Sequence, residues 1–158
     1  MRELILLRHA HAEPGAPGQA DIDRPLSAEG HREADAAGAW LREHGLLPDR
    51  ILCSPSRRTR ETADAVAAAL GLIEQQLNPG IYEATAGALA TIADANTDAQ
   101  RLLLVGHNPG MERLAALLHS GQSGDYRGMP TGSVVVLSLP ADAAIEPGIA
   151  TLSAFWWP

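Results

Sequence analysis

Five short stretches of the chain are dense in apolar residues, several of them nearly continuous in Leu, Ile and Val: Glu3 to Arg8, Arg50 to Cys53, Arg101 to Val105, Ser133 to Leu139 and Ile149 to Trp156. Runs of this length predict strands buried on both faces. Between them the spacing changes. Thr59, Thr62, Ala63, Val66, Ala67 and Leu70 recur at three- and four-residue steps, which gathers one inward stripe on a helix. Met111, Leu114, Ala115 and Leu118 repeat that pattern. A third helix is predicted from about Ala28 to His44, with Ser27 as N-cap after Pro25-Leu26 and Gly45 at its exit. Leu89, Ile92 and Ala93 mark a weaker fourth. Strands alternating with helices imply a largely parallel sheet covered on both sides, a three-layer α/β/α sandwich of the α/β class. The last two runs are joined through Pro140 to Gly148 without a helical pattern, so they predict an antiparallel pair at one edge.

Composition narrows the setting. With 158 residues, 46% of them hydrophobic, the expectation is one domain over residues 1–158. The one cysteine, Cys53, sits in an apolar run and reads as a buried core thiol. The apolar stretch after Met1-Arg2-Glu3 meets charge again at Arg8, too soon for a signal peptide or a membrane span, which gives a cytoplasmic expectation and no membrane partner. The net charge of −7 disfavours nucleic acid as a partner. The arginines are nonetheless clustered, with Arg57, Arg58 and Arg60 inside four positions, and a local cationic pocket can exist on an acidic protein.

Three segments place polar residues just past predicted strands: Arg8-His9-Ala10-His11, Ser54-Pro55-Ser56-Arg57-Arg58 and Gly106-His107-Asn108-Pro109-Gly110. In a parallel sheet those carboxyl ends share one edge, where ligands bind. Two histidines and two or three arginines would then converge. Guanidinium forks match phosphate oxygens, and a neutral imidazole is a competent nucleophile toward phosphorus, so phosphoryl transfer is the leading chemistry. The loop from Glu13 to Asp23 and the segment from Gly121 to Gly128, with Asp125, Tyr126 and Arg127, are expected to rim the cleft.

Four segments, LLRHAHAEP at the N-terminus, DRPLS at Asp23 to Ser27, CSPSRRTRETA at Cys53 to Ala63 and VGHNPGM at Val105 to Met111, resemble the histidine phosphatase superfamily, or phosphoglycerate mutase-like fold. The short chain most resembles its SixA-like branch of small phosphohistidine phosphatases. The resemblance implies that His9 is the nucleophile, that Arg8 and Arg58 bind the phosphoryl oxygens, and that His107 donates a hydrogen bond. It also implies Arg24 near the phosphate, and Glu83, in Tyr82-Glu83-Ala84, as the acid for the leaving oxygen. In the family this resembles, the arginine falls four residues before a threonine, which implies Arg58, counted back from Thr62, with Arg57 as the alternative. Asn108-Pro109-Gly110 opens the next helix, so free backbone N–H groups there are expected to add donors at the bound anion, with Asn108 counted among the phosphate-binding residues. No cofactor and no metal are implied. The expected partners are a protein carrying phosphohistidine or a small phosphorylated molecule, and phosphate-like anions should bind.

Other readings stay open. His9, His11 and His107 are three imidazoles of the kind zinc accepts, although Arg8 and Arg58 would repel a cation. A non-catalytic phosphate-binding protein would present the same pocket, and a mutase is a further option within the family. His11 is expected at the surface or the rim.

Overall fold

The computed structural model describes residues 2–71, 73–122, 124 and 128–158. Six strands form one sheet: β1 (Arg2–Arg8), β2 (Arg50–Cys53), β3 (Gln75–Leu77), β4 (Arg101–Gly106), β5 (Val134–Leu139) and β6 (Thr151–Trp156). Their order is β3-β2-β4-β1-β5-β6. β3, β2, β4 and β1 run parallel, while β5 pairs antiparallel with β1 and β6 antiparallel with β5. The predicted antiparallel edge is therefore present. The short strand β3 has no apolar signature: Gln75 and Gln76 precede Leu77, which is 53% exposed at the sheet's edge. A three-residue edge strand is held by backbone pairing to β2 and needs no buried side chains.

Leu4, Ile5, Leu6 and Leu7 are all fully buried, as a strand covered on both faces requires. Leu4 and Leu6 join Leu102, Leu104, Leu114 and Leu118 in one core. Ile5 and Leu7 join Leu41, Val66, Leu103 and Val105 in the other. The first core is roofed by α3 (Ala86–Asp94) and α4 (Gly110–Ser120), the second by α1 (Ala28–Glu43) and α2 (Arg57–Leu70). That is the three-layer sandwich the pattern predicts. Burying each such leucine is worth about 1.5–3 kcal/mol, against tenths for helix propensity, so packing decides where these elements lie.

Caps fix the helix starts near the sheet edge. Ser27 accepts from the Gly30 amide, Ser56 from Thr59 and Thr85 from Ala88. Gly30 brings α1 against the segment after β1, since a Cβ there would sit 1.9 Å from the His11 carbonyl oxygen. No helix among the described residues is long and apolar enough to cross a membrane.

Candidate active site

Register explains the convergence at the carboxyl edge. Arg8 lies opposite Gly106 and Cys53 opposite Val105, so β2, β4 and β1 end side by side. The His9 amide donates to the Gly106 carbonyl at 3.0 Å and the Ser54 amide to Val105 at 3.1 Å. The polar residues that follow each strand open into one cleft of about 500 Å³, lined by Arg8, His9, Arg24, Arg58, Glu83, His107 and Asn108 among others. All seven residues expected at the site thus lie on its wall. Arg58 is nearly buried there, whereas Arg57 has a side chain 52% exposed and pairs with Glu61 along α2. Thr62 shows why its spacing locates Arg58: its hydroxyl donates to the Arg58 carbonyl at 2.8 Å and accepts from the Ala10 amide at 3.1 Å, tying α2 to the end of β1.

The His9 ring donates from Nδ1 to the adjacent Ala10 carbonyl at 2.8 Å, because a carbonyl can only accept. That leaves the lone pair on Nε2, turned toward a cleft of positive charge. Burial first, then the neighbouring His107, Arg58 and Arg8, lower the His9 pKa to about 3 against the opposing Ala10 bond. His107 falls to about 4, through burial and then Arg58. Both rings are neutral at ordinary pH, and their centroids are 5.2 Å apart.

The Arg8 fork is oriented by Nη1 donating to the Met129 carbonyl at 2.7 Å. Asn108 braces the same point: its amide nitrogen donates to Met129 O at 2.9 Å and to Glu112 at 3.0 Å, and its oxygen accepts from the Glu112 amide. Both amide hydrogens are committed, which leaves this side chain no donor for an anion. The Asn108 side chain is thus a brace behind Arg8, while the residue itself lines the cleft where the helix begins. Glu112 also accepts from the Met129 amide, so it holds this corner together.

Asp21 escaped the sequence reading. Its carboxylate accepts from Arg58 at 2.9 Å, Arg24 at 3.0 Å and the Tyr82 hydroxyl at 2.5 Å, and its carbonyl accepts from Arg58 at 2.7 Å. The Tyr82 bond, followed by that from Arg24, holds its pKa well below the usual carboxylate range. Asp21 orients Arg58 and Arg24 and brings the Glu13 to Asp23 loop onto the cleft, as expected of that loop. The expected rim residues Asp125, Tyr126 and Arg127 lie outside the described residues. Arg113, from α4, also lines the cleft and carried no sequence signal. Gly110 lets α4 begin against the Glu83 segment, since a Cβ there would meet the Ala84 carbonyl oxygen at 2.3 Å.

His11 turns away. Its ring bonds the Ser27 hydroxyl at 2.7 Å, and its amide donates to Glu33. The three imidazoles of a zinc reading are therefore not gathered, and among the described residues no three His, Cys, Asp or Glu side chains are grouped to hold a metal.

The neutral histidines make stability depend on pH. In the unfolded chain their pKa returns to 6.5, so protons favour the unfolded state once pH drops below that value, and the loss continues until the folded-state values near 4 and 3 are passed. From pH 7 to pH 5 the fold is expected to lose roughly 1–2 kcal/mol per histidine, seen as a lower urea midpoint. An unchanged midpoint over that interval would contradict neutral, buried rings.

The comparisons with known proteins agree with this geometry. The model of the histidine phosphatase superfamily, branch 1, matches residues 4–116. An uncharacterized protein of Mycobacterium tuberculosis is 34% identical over 160 residues, covering 94% of this chain and 98% of its own. The crystal structure of a candidate phosphohistidine phosphatase SixA from Agrobacterium tumefaciens superposes with a TM-score of 0.86 at 31% identity, over 99% of this chain and 98% of that one. Its counterpart from Nakamurella multipartitia gives 0.83 at 32%, over 99% and 96%. With two neutral imidazoles and a braced arginine pair at the carboxyl edge of this sheet, the chain belongs to the histidine phosphatase superfamily, in its small SixA-like branch, and is a phosphatase.

Proposed function

We propose that the protein hydrolyses protein-bound phosphohistidine through a phosphoryl intermediate on His9. The observation that carries this reading is the tautomer of His9: Nδ1 is committed to the Ala10 carbonyl, so the unprotonated Nε2 faces the cleft beside Arg8, Arg58 and His107. In the first step Nε2 attacks phosphorus in line while the bond from phosphorus to the substrate imidazole breaks, and that imidazole leaves with the electron pair. Charge spreads over three equatorial oxygens, which Arg8, Arg58 and an N–H of His107 stabilise without a metal. Water then attacks that phosphorus, the bond from phosphorus to Nε2 breaks and returns its electron pair to the ring, and the phosphate departs with the oxygen and protons of the water.

Phosphohistidine suits this site because a departing imidazole, whose conjugate acid has a pKa of about 6.5, needs little help from an acid. The SixA-like proteins it resembles over nearly their whole length carry the same substrate class in their names. A second reading, hydrolysis of small phosphate monoesters, is favoured by Glu83, which lines the cleft and could supply the proton a leaving alkoxide needs.

One preparation assayed against a phosphohistidine protein and simple phosphate monoesters in competition tests the choice. The expected kcat/KM is at least about tenfold higher for the phosphohistidine protein. Equal values, or a preference for monoesters, would overturn the proposed substrate and leave the His9 chemistry standing.

A further inference from the structure

The second imidazole needs its proton on the opposite nitrogen from the first, and a buried hydroxyl stands where it can choose. We infer that Ser54 is a positioning residue that selects the tautomer of His107, so that an anion in the cleft meets a ring N–H at Nδ1. This rests on the reading that His107 contacts the transferred phosphoryl group.

Ser54 follows β2 directly and is fully buried. Its amide is tied to Val105 and its carbonyl to the Thr59 hydroxyl at 2.8 Å, so its place in the sheet is fixed by contacts other than its side chain. The hydroxyl lies 2.8 Å from His107 Nε2 and accepts the Ser56 amide at 3.4 Å. A hydroxyl has one proton to give. With one lone pair facing Ser56, the acceptor available to that proton among the described residues is His107 Nε2. Were Nε2 itself protonated, the Ser54 proton would be buried without a partner, which native interiors avoid.

Donation from Ser54 puts the ring proton on Nδ1. That atom lies 3.4 Å from Arg58 Nη2, which can only donate. Two donors at this separation call for a shared acceptor, and an anionic oxygen in the cleft supplies it. Without an anion the opposite arrangement competes: Arg58 donates to Nδ1, Nε2 carries the proton, and the Ser54 hydroxyl accepts it at the cost of leaving its own proton unpaired. Anion binding and the His107 tautomer are therefore linked through Ser54. The neutral state of His107 makes the choice matter, since a doubly protonated ring would donate from both nitrogens. The two rings are thus set by opposite partners. The Ala10 carbonyl accepts from His9 and exposes a lone pair, whereas the Ser54 hydroxyl donates to His107 and exposes an N–H.

Nitrogen-15 spectra of the full chain, labelled at histidine and saturated with inorganic phosphate, read the tautomer directly. The expected result is a protonated Nδ1 and an unprotonated Nε2 at His107 in the wild type. Ser54→Ala should give a mixture of both forms, weaken inhibition by inorganic phosphate about tenfold and lower kcat/KM by a similar factor, with Ser54→Thr restoring the wild-type spectrum. A phosphate-bound wild type protonated at Nε2, or an unaltered Nδ1–H signal in Ser54→Ala, would overturn the inference. If Ser54→Ala does not fold, the wild-type spectra with and without phosphate decide by themselves. Failure of phosphohistidine as a substrate would leave these spectra unchanged, so the two claims fail separately.

Discussion

Turnover in His9→Ala is expected to fall by at least about 10³-fold on every phosphorylated substrate, because among the described residues His9 is the group that brings an unprotonated ring nitrogen into the cleft between the arginines. His107 is the nearest candidate, but its Nε2 is turned to the buried Ser54 hydroxyl and its Nδ1 carries the ring proton when an anion is bound, so it offers the cleft no free lone pair. Glu83 and Asp21 are carboxylates, and Asp21 is held by three donors. The folded state should survive the change. The substitution removes one bond to the Ala10 carbonyl, worth about 0.5–1.5 kcal/mol, and with it a neutral imidazole that burial penalises at low pH. Two measurements belong together: the steady-state rate, and the phosphate retained on the protein after brief exposure to substrate and denaturation. In the wild type that phosphate should be labile in acid and stable in base, the behaviour of a phosphoryl imidazole, and in His9→Ala it should vanish. A variant that keeps more than a tenth of wild-type turnover would remove His9 from the nucleophile's role.

The parts of this site legible in the sequence are those tied to regular elements. His9, Ser54 and His107 follow strands whose apolar runs are unmistakable, and parallel register brings their ends together. Arg58 was legible only through the family's arginine-to-threonine spacing, and the structure gives that threonine a task one turn along α2, joining the Arg58 carbonyl to the Ala10 amide. Asp21 was not legible. It lies in a loop of glycines and prolines, and its partners Arg58 and Tyr82 are 37 and 61 residues away. No local spacing records such contacts. Asn108 could be placed at the start of α4, but the task of its side chain could not, since Met129 and Glu112, which take both its amide hydrogens, come from another part of the chain and from the helix itself. β3 escaped for a third reason, since an edge strand held by backbone bonds leaves no apolar pattern.

Glu83 offers the second large effect, and its backbone separates catalysis from stability. The Ala84 amide donates to the Ile81 carbonyl at 3.2 Å, Tyr82 has φ −65° and ψ 126°, and Glu83 has φ +57°. This is the outline of a type II turn with Glu83 at the position that favours glycine. A side chain there costs about 1–2 kcal/mol, so a glutamate in that place is a local conflict in a residue that lines the cleft. Glu83→Gly should therefore leave the thermal midpoint unchanged or raise it, with any gain limited to about 1 kcal/mol by the greater freedom of glycine when unfolded. Both Glu83→Gly and Glu83→Gln should lose about 10²-fold in kcat on alkyl phosphate monoesters, where the leaving oxygen needs a proton. On a phosphohistidine protein the same variants should lose less than about tenfold, because the imidazole departs readily without an acid. Equal losses on both substrates would take the acid's role away from Glu83. A lower thermal midpoint in Glu83→Gly would show that the carboxylate stabilises the fold, and the conflict between turn and side chain would then have no bearing on chemistry.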